Sequence, residues 1–327
     1  MTTMSSKAQK ISRRQAVTHA GVLVGAAVAG GFQTTVAAES RGAATNGRGG
    51  FRFCLNTATI RGQKLGIVKE IEVVAKAGYQ AIEPWVASIE AYQKEGGSLP
   101  DLKRRIADLG LTVESAIGFP QWIVDDDAKR AQGLERAKFE MDLIALIGGK
   151  RLAAPPSGAT ELPKLDLLKA AERYRALLEA GDQIGVVPQL ELWGFSKNLN
   201  RLGECACVAI ETGHPKACVL ADIYHLYKGG SDFSGLRLLS KNAVQVLHMN
   251  DYPAEPSREK IDDSYRVFPG DGVAPVTEIL RTLHDLGGQT VLSLELFNRK
   301  YWAMDALEVA RAGLEKMKSG VGKALSR

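Results

Sequence analysis

The chain has 327 residues, 45% of them apolar and 24% charged, a composition that is typical of an ordinary soluble protein and excludes a collagen-like or strongly charged chain. Its formal net charge of +5 comes almost entirely from four basic residues that precede the first acidic one, Glu39; from there on, 38 basic side chains accompany 37 acidic ones. A body so close to neutral has no general attraction for phosphate backbones, so we expect no nucleic acid partner.

The N-terminus has the features of an export signal. Arg13 and Arg14 precede an uncharged stretch rich in Ala, Gly and Val, and small residues follow at positions 36–38, where a peptidase can cut. The apolar stretch is short and Gly-rich for a membrane span. We therefore predict a cleavable twin-arginine signal over residues 1–38 and a flexible linker over 39–50, with no stable membrane span after cleavage. The predicted location is periplasmic or extracellular.

From residue 51 onward, strand-like and helix-like segments alternate. Several helix-like stretches end at a glycine, as at Gly78, Gly110 and Gly185, and a strand follows within a few residues. Helical periodicity covers 64–78, 99–110, 129–149 and 162–185. Strand-like apolar runs occupy 51–57, 80–86, 111–117, 150–155, 186–192, 217–222, 243–250 and 290–296.

This alternation predicts an α/β fold with a parallel sheet. Eight strand and helix units in about 270 residues fit a single (β/α)8 TIM barrel better than an open doubly wound sheet. We predict the barrel over residues 51–318 and a C-terminal tail over 319–327. No G-x-G-x-x-G follows the first strand and no Walker A motif is present, so the sequence does not predict dinucleotide or nucleoside triphosphate chemistry.

A TIM barrel carries its chemistry where its strands end. Strand five ends with Glu191, strand six with Asp222, strand seven with His248 and strand eight with Glu295. Three carboxylates at one barrel mouth repel one another unless one is protonated or a cation neutralises them. We therefore predict one divalent metal bound by these four residues, with Mn²⁺ preferred and Mg²⁺, Co²⁺ or Zn²⁺ as alternatives.

The sequence also resembles a known family. The runs "LELWG" at Glu191, "ADIYH" from Asp222 to His225, "HMND" at His248 and "LELFN" at Glu295 resemble the xylose isomerase-like TIM barrels of the sugar phosphate isomerase/epimerase superfamily. Ketose 3-epimerases, hydroxypyruvate isomerases and inosose dehydratases belong to that group. The resemblance covers roughly residues 51 to 318, and the four-ligand set with Asp-x-x-His is its most specific part.

The resemblance implies a metal-dependent sugar isomerase or epimerase. Glu191 and Glu295 would bind the metal and also serve as the catalytic acid/base pair, and His225 would hold a substrate oxygen. Removal of the proton α to a carbonyl gives an enediolate, which can be reprotonated to an epimer or an isomer. Loss of a β-oxygen from the same enediolate makes the enzyme a lyase or dehydratase, and the motif does not choose among these outcomes.

Other functions remain open at this stage. An exported lyase acting on a keto-sugar or keto-glycoside is the nearest alternative, and a carbohydrate-binding barrel without catalysis is the next. A three-zinc endonuclease barrel is disfavoured because the chain has five histidines in all and a near-neutral body. The expected partner is a small carbohydrate, and a homo-oligomer is left open.

Several residues beside the predicted metal site are candidates for the substrate pocket. Trp193, Trp85, Phe119 and Trp122 follow strand ends, where aromatic faces can pack on a sugar or simply fill the barrel rim. Asn250 follows His248 by two residues and is predicted to contact substrate. Two further roles are left open: Glu83 binds a hydroxyl or pairs with a loop arginine, and Lys197 meets an anionic group or, as we expect, is solvated.

Two departures from the family leave the substrate open. Ketose 3-epimerases have an arginine six residues after the histidine of strand seven, where this chain has Ala254; Arg258 and Arg266 are candidates to replace it through a longer loop. Hydroxypyruvate isomerases favour a glutamine at the position of Asn250.

Overall fold

The computed structural model describes residues 50–326. The predicted export signal over 1–38 and all but the last residue of the predicted linker lie outside the described residues. All eight predicted strands are present, each within one or a few residues of its expected bounds. They are β1 Gly50–Asn56, β2 Ala81–Glu83, β3 Thr112–Val113, β4 Arg151–Ala154, β5 Val187–Glu191, β6 Val219–Asp222, β7 Val246–Met249 and β8 Gln289–Leu294.

The strands form one parallel sheet in the order β3-β2-β1-β8-β7-β6-β5-β4. Its two edges meet beyond the short strand β3, where the backbone N–H of Ala116 donates to Arg151 and that of Ala153 donates to Ala116, at 3.0 and 2.9 Å. This bridge between Ala116 and Leu152 closes the sheet. The predicted (β/α)8 barrel is therefore confirmed.

Helices connect successive strands and cover the outside of the sheet. Gly78 and Gly185 end α1 and α5 with φ of 95° and 88°, a backbone conformation that glycine adopts without a steric penalty. The helices are α1 Ile67–Ala77, α2 Val86–Lys94, α3 Leu99–Asp108, α4 Asp127–Leu146, α5 Leu167–Ile184, α6 Leu202–Glu211, α7 Ile223–Gly229, α8 Val276–Asp285, α9 Arg299–Trp302 and α10 Ala306–Leu325.

The C-terminus differs from the prediction. We expected a tail over 319–327, but α10 continues to Leu325. Met317 and Ala324 of this helix are buried, so its apolar face packs on the body of the protein beyond the predicted boundary. Among the described residues, no helix combines the length and the apolarity needed to cross a membrane.

The pleat of the strands decides which side chains enter the barrel, because successive residues of a strand point to opposite faces. Outward side chains join the large core between sheet and helices, as Leu55, Leu190 and Leu247 do. The inward ones at the lower level form a small separate cluster: Cys54, Ala81, Ile117, Ala153, Leu220, Val246 and Val291. Two residues further along β1, β2, β6 and β7, the inward positions are polar and form part of the candidate site: Asn56, Glu83, Asp222 and His248.

Candidate active site

Six polar side chains meet above the small apolar cluster inside the barrel, at the carboxyl ends of five strands and just past the end of a sixth. Strand register places them side by side: Asn56 is paired with Glu83, and Asp222 is paired with His248. Each is at most 4% exposed. The six are Asn56, Glu83, Glu191, Asp222, His248 and Glu295.

The four predicted metal ligands lie together around the Nδ1 atom of His248. This atom is 3.2 Å from Glu295 Oε2, 3.6 Å from Asp222 Oδ2 and 3.8 Å from Glu191 Oε1. It is buried and makes no hydrogen bond within the described part of the chain. Asp222, His248 and Glu295 each offer an atom within 4.8 Å of the others, which is a spacing that a single metal ion can span. A buried imidazole nitrogen without a partner, facing carboxylate oxygens, fits a divalent metal.

The other nitrogen of His248 fixes the orientation of the ring. Its Nε2 lies 3.1 Å from Glu83 Oε2, and that oxygen also accepts hydrogen bonds from Ser293 Oγ at 2.6 Å and Asn56 Nδ2 at 2.9 Å. Glu83 therefore pairs with His248 and not with a loop arginine, which was one of the two roles left open by the sequence. A carboxylate on the remote nitrogen of a histidine is the arrangement found behind many metal ligands.

The charges in this cluster shift its protonation equilibria. Burial opposes the imidazolium, but the carboxylates of Glu295 and Glu83 prevail and raise the pKa of His248 well above its ordinary value. Burial, opposed by His248 and reinforced by repulsion from Glu295 and Asp222, raises the pKa of Glu191 to about 8. The pKa of Asp222 is lowered: burial would raise it, but Arg266 and His225 outweigh that effect.

The Asp-x-x-His element is explained by helix capping. Asp222 ends β6 and is the N-cap of α7, where its Oδ1 accepts the backbone N–H of His225 at 2.8 Å. Its Oδ2 accepts from Asn250 Nδ2 at 3.1 Å. The side-chain carbonyl of Asn250 accepts the backbone N–H of Tyr224 at 2.9 Å, so both polar atoms of the side-chain amide are bonded within the protein. The structure thus shows Asn250 supporting Asp222, and its substrate contact remains a prediction.

Arg266 enters the cluster from the loop that follows β7. Its Nη1 donates to Asp222 Oδ2 and to Glu295 Oε2, both at 2.8 Å, and its Nη2 lies 3.1 Å from His225 Nε2. The side chain is fully buried. Arg266 is one of the two loop arginines that the sequence indicated as a replacement at Ala254, and the structure selects it; Arg258 is half exposed and bonds elsewhere.

The long loop that carries Arg266 is anchored at its base. Asp251 pairs with Val267 in a short antiparallel bridge, and its carboxylate accepts the backbone N–H groups of Gly270, Gly272 and Ala274 at 2.9 to 3.1 Å. The turn at 270–272 therefore has a structural role. No local motif marks the loop as part of the site, because its contribution depends on a side chain 18 residues after His248.

Above the cluster lies a pocket of about 170 Å³. Glu191, Glu295, His225, Asp263 and Arg266 line its floor and one side. The rest is an aromatic wall, which we define as Trp85, Phe119, Trp193, Phe195 and Phe297.

Three of the aromatic residues predicted for the pocket are in this wall, and one is not. Trp122 is buried in the core, 1% exposed, with its indole N–H bonded to the carbonyl of Pro155 at 2.8 Å, so the expectation of a pocket role for Trp122 was wrong. Lys197 is exposed and pairs with Glu161, in agreement with the solvated lysine expected from the sequence.

Comparison with known proteins places the chain in a family. The model of the family described as "Xylose isomerase-like TIM barrel" matches residues 71–320. The chain belongs to this family, as its strand-end motifs suggested.

Individual relatives are distant but extend over most of the barrel. The inosose isomerase of Bacillus licheniformis is 23% identical over 277 residues, which cover 83% of this chain and 98% of the relative. The 3-dehydroshikimate dehydratase of Pseudomonas putida is 24% identical over 256 residues, which cover 76% of this chain and 39% of the relative. The crystal structure of an IolI protein with a zinc atom is similar with a TM-score of 0.77 and 21% identity, over 84% of this chain and all of that one.

Proposed function

We propose that the protein is a divalent-metal-dependent isomerase or epimerase of a sugar-like carbonyl substrate. The observation that carries the proposal is the orphaned Nδ1 of His248, buried among the carboxylates of Glu191, Asp222 and Glu295 beneath an open pocket. Both glutamates line this pocket, so a substrate in it lies against both.

Glu191, Asp222, His248 and Glu295 would hold the metal, with Glu83 orienting the imidazole from behind. Bound there, a divalent ion supplies Lewis acidity that stabilises negative charge on the substrate oxygens. We propose Mn²⁺ as the ion. The oxygen-rich donor set favours it, while the zinc atom in the similar IolI structure keeps Zn²⁺ as the alternative.

Glu191 and Glu295 differ in their hydrogen bonding, as an acid/base pair requires. Glu295 is fixed by Arg266 on Oε2 and by Asn56 on Oε1, at 2.8 and 3.0 Å, while Glu191 Oε2 is buried and has no hydrogen-bond partner among the described residues. One of them removes the proton α to the carbonyl, and the other returns a proton to another face or carbon. His225 lines the pocket and would bind a substrate oxygen.

A lyase or dehydratase is the second candidate. It is favoured by the likeness to a 3-dehydroshikimate dehydratase, and it uses the same first step. The two reactions diverge only after the proton is removed, when a β-oxygen leaves instead of a proton returning. The inosose isomerase matches along nearly its whole length, so isomerisation or epimerisation is our first proposal.

The twin arginine at 13–14 supports a further part of the proposal, namely that the enzyme folds in the cytoplasm and is exported to the periplasm or beyond. Its domains would then be the signal over 1–38, the linker over 39–50 and the barrel.

The decisive experiment is metal analysis combined with hydrogen exchange. Purified protein and its Glu295→Gln variant are incubated in D₂O with free ketoses and keto-glycosides, and Glu114→Gln, altered at the opposite end of the barrel, is the matched control. We expect one equivalent of metal and deuterium beside the carbonyl in the parent and control, and exchange that is about 10²- to 10⁴-fold slower in Glu295→Gln. Product analysis separates epimer, isomer and elimination product. Absence of both metal and exchange contradicts the proposal and leaves the carbohydrate-binding barrel as the better explanation.

A further inference from the structure

The aromatic wall is continuous and larger than the reacting centre needs. Trp85 contacts Phe119 and Phe297, with ring centroids 5.2 and 6.2 Å apart, and Phe119 lies 5.9 Å from Trp193. Trp193 in turn stacks on Phe195 at 5.2 Å. The five rings therefore run in an unbroken chain from the end of β8, past β2 and β3, to the end of β5.

Two of these rings expose much of their surface to solvent. Phe119 is 40% exposed and Phe195 is 45% exposed, although both line the same pocket as Glu191 and Glu295. A rim that only plugs the barrel would bury its rings. Exposed apolar surface that is continuous with a reactive site is instead typical of a ligand-binding surface.

The loops that carry these rings are held in place. The Phe119 carbonyl accepts a hydrogen bond from Ser157 Oγ at 3.0 Å. On the other side, the backbone N–H of Trp193 donates to Leu199 at 3.1 Å, and Gly194 lies so close to the carbonyl oxygen of His225 that a Cβ there would be 2.4 Å from it. The wall is thus preorganised, which lowers the cost of binding a rigid group.

The charges in the pocket do not suit a phosphorylated sugar. Among the lining residues, all of which the structure describes, Arg266 is the one lysine or arginine, and its Nη1 and Nη2 already bind Asp222, Glu295 and Asp263. Arg61 stacks on Trp85 with its guanidinium carbon 4.4 Å from the ring centroid, but it is not among the lining residues. A phosphate in the pocket would face carboxylates without a free lysine or arginine among the lining residues.

We infer that the substrate is a neutral keto-glycoside, whose first ring bears the carbonyl and lies on the carboxylate cluster and whose second ring packs on Phe119, Trp193 and Phe195. The second ring is a sugar or an aromatic aglycone, since both present a flat apolar face to an aromatic side chain. This inference rests on the proposed function, because it assigns the reacting sugar to the same site.

Binding of unreactive probes tests the inference separately from catalysis. Calorimetry and the quenching of tryptophan fluorescence give affinities for glucose, phenyl β-D-glucoside, cellobiose and glucose 6-phosphate. The corresponding galactose series is measured in parallel, so that the choice of first sugar does not decide the result. Within a series, we expect the phenyl glycoside or the disaccharide to bind about tenfold more tightly than the free sugar. If the phenyl glycoside binds more tightly, the second ring is an aromatic aglycone; if the disaccharide does, it is a sugar.

Substitutions in the wall locate the effect. Phe119→Ala and Phe195→Ala should each remove most of the preference for the two-ring probe over the free sugar. Phe139→Ala is the control, because Phe139 is 44% exposed on α4 and does not line the pocket. Equal affinity for one-ring and two-ring probes, or tightest binding of the phosphate ester, overturns the inference. Deuterium exchange into free ketoses would persist in that case if the proposed function is correct, so the two failures are distinguishable.

Discussion

His248 Nε2 lies 3.1 Å from Glu83 Oε2, and both side chains are completely buried. The pair joins β7 to β2 across the inside of the barrel and turns the Nδ1 of His248 towards Asp222, Glu191 and Glu295. We predict that Glu83→Gln lowers the affinity for the metal by about 10- to 100-fold, because the imidazole loses the carboxylate that orients it and increases its basicity. Competition with a chelator of known affinity measures the change.

Glu114→Gln is the control for this prediction. Glu114 is also a buried carboxylate, but it pairs with Lys150 and Arg151 at the amino-terminal end of the strands. We expect its substitution to reduce stability and leave the metal affinity unchanged. If Glu83→Gln binds metal as tightly as the parent does, the orienting role of Glu83 is refuted.

The sequence was sufficient to predict the barrel and to indicate four residues at the centre of the site. Strand-like segments alternate with helix-like segments that often end at a glycine, and this pattern located all eight strands. The strand ends then indicated Glu191, Asp222, His248 and Glu295. Each of these follows from a rule that applies along one strand.

Side chains whose role depends on contacts between distant strands or loops were harder to predict. Glu83 and Asn56 end strands as well, but only the pairing of β1 with β2 and β8 shows that they support the ligands from behind. Arg266 belongs to a loop whose path is set by Asp251 and the backbone of 270–274. Trp122 follows a strand region as Phe119 does, yet its indole N–H bonds to Pro155 and draws the ring into the core.

Arg266 compensates the negative charge of the cluster when no metal is bound. Its Nη1 bridges Asp222 and Glu295, and Arg266→Met would remove the positive charge that pairs with both of these buried carboxylates. We predict a loss of about 3–5 kcal/mol in the free energy of unfolding in the presence of EDTA. Saturating Mn²⁺ should recover more stability in Arg266→Met than it adds to the parent, because the ion restores positive charge at the same oxygens.

Thermal and urea unfolding, with EDTA and with Mn²⁺, measure both effects. Arg151→Met is the matched control, since Arg151 pairs with Glu114 away from the cluster. This variant should lose stability, but Mn²⁺ should add no more to it than to the parent. Equal gains from Mn²⁺ in the parent and in Arg266→Met would contradict the prediction.

The export proposal has a simple genetic test. Replacing Arg13 and Arg14 with lysine in the full chain should abolish export, because the twin-arginine signal depends on the arginine pair, whereas the charge is conserved. Cell fractionation and the size of the protein report the outcome, and Lys7→Arg with Lys10→Arg is the control. Processed protein outside the cytoplasm after the double substitution would show that the arginine pair is not required.

Glu70 gives the fold a pH dependence that is independent of the site. It lies in α1, is 6% exposed, and its Oε2 has no partner in the described structure, so burial raises its pKa to about 7. Between the pKa of an unfolded glutamate and this value, the native state binds more protons than the unfolded state. The stability that protonated Glu70 contributes is therefore present at acid pH and is lost as the pH rises through 7.

Glu70→Gln remains neutral at every pH and should lack this decline, which amounts to about 3 kcal/mol for the shift involved. Urea unfolding at pH 5 and pH 8.5 measures the free energy of unfolding of the variant and of the parent. The free energy of the variant minus that of the parent should be larger at pH 8.5 than at pH 5. Glu72→Gln, on the exposed side of the same helix, is the control. The same loss of stability with pH in Glu70→Gln and in the parent would refute the assignment.

Gly194 determines the position of the loop that carries Trp193 and Phe195. A Cβ at this residue would be 2.4 Å from the carbonyl oxygen of His225 and 2.6 Å from the backbone nitrogen of Gly229, and neither backbone atom can move without displacing α7. We predict that Gly194→Ala reduces the free energy of unfolding by about 1–3 kcal/mol and changes the environment of Trp193, measured by urea unfolding and by its fluorescence. Gly203→Ala, in α6 with no atom from other described parts of the chain within 4 Å of the added Cβ, should instead stabilise the protein by about 0.5–1 kcal/mol. The opposite signs distinguish a close backbone approach from the general effect of replacing glycine; if Gly194→Ala also gains stability, the loop is not held by this contact.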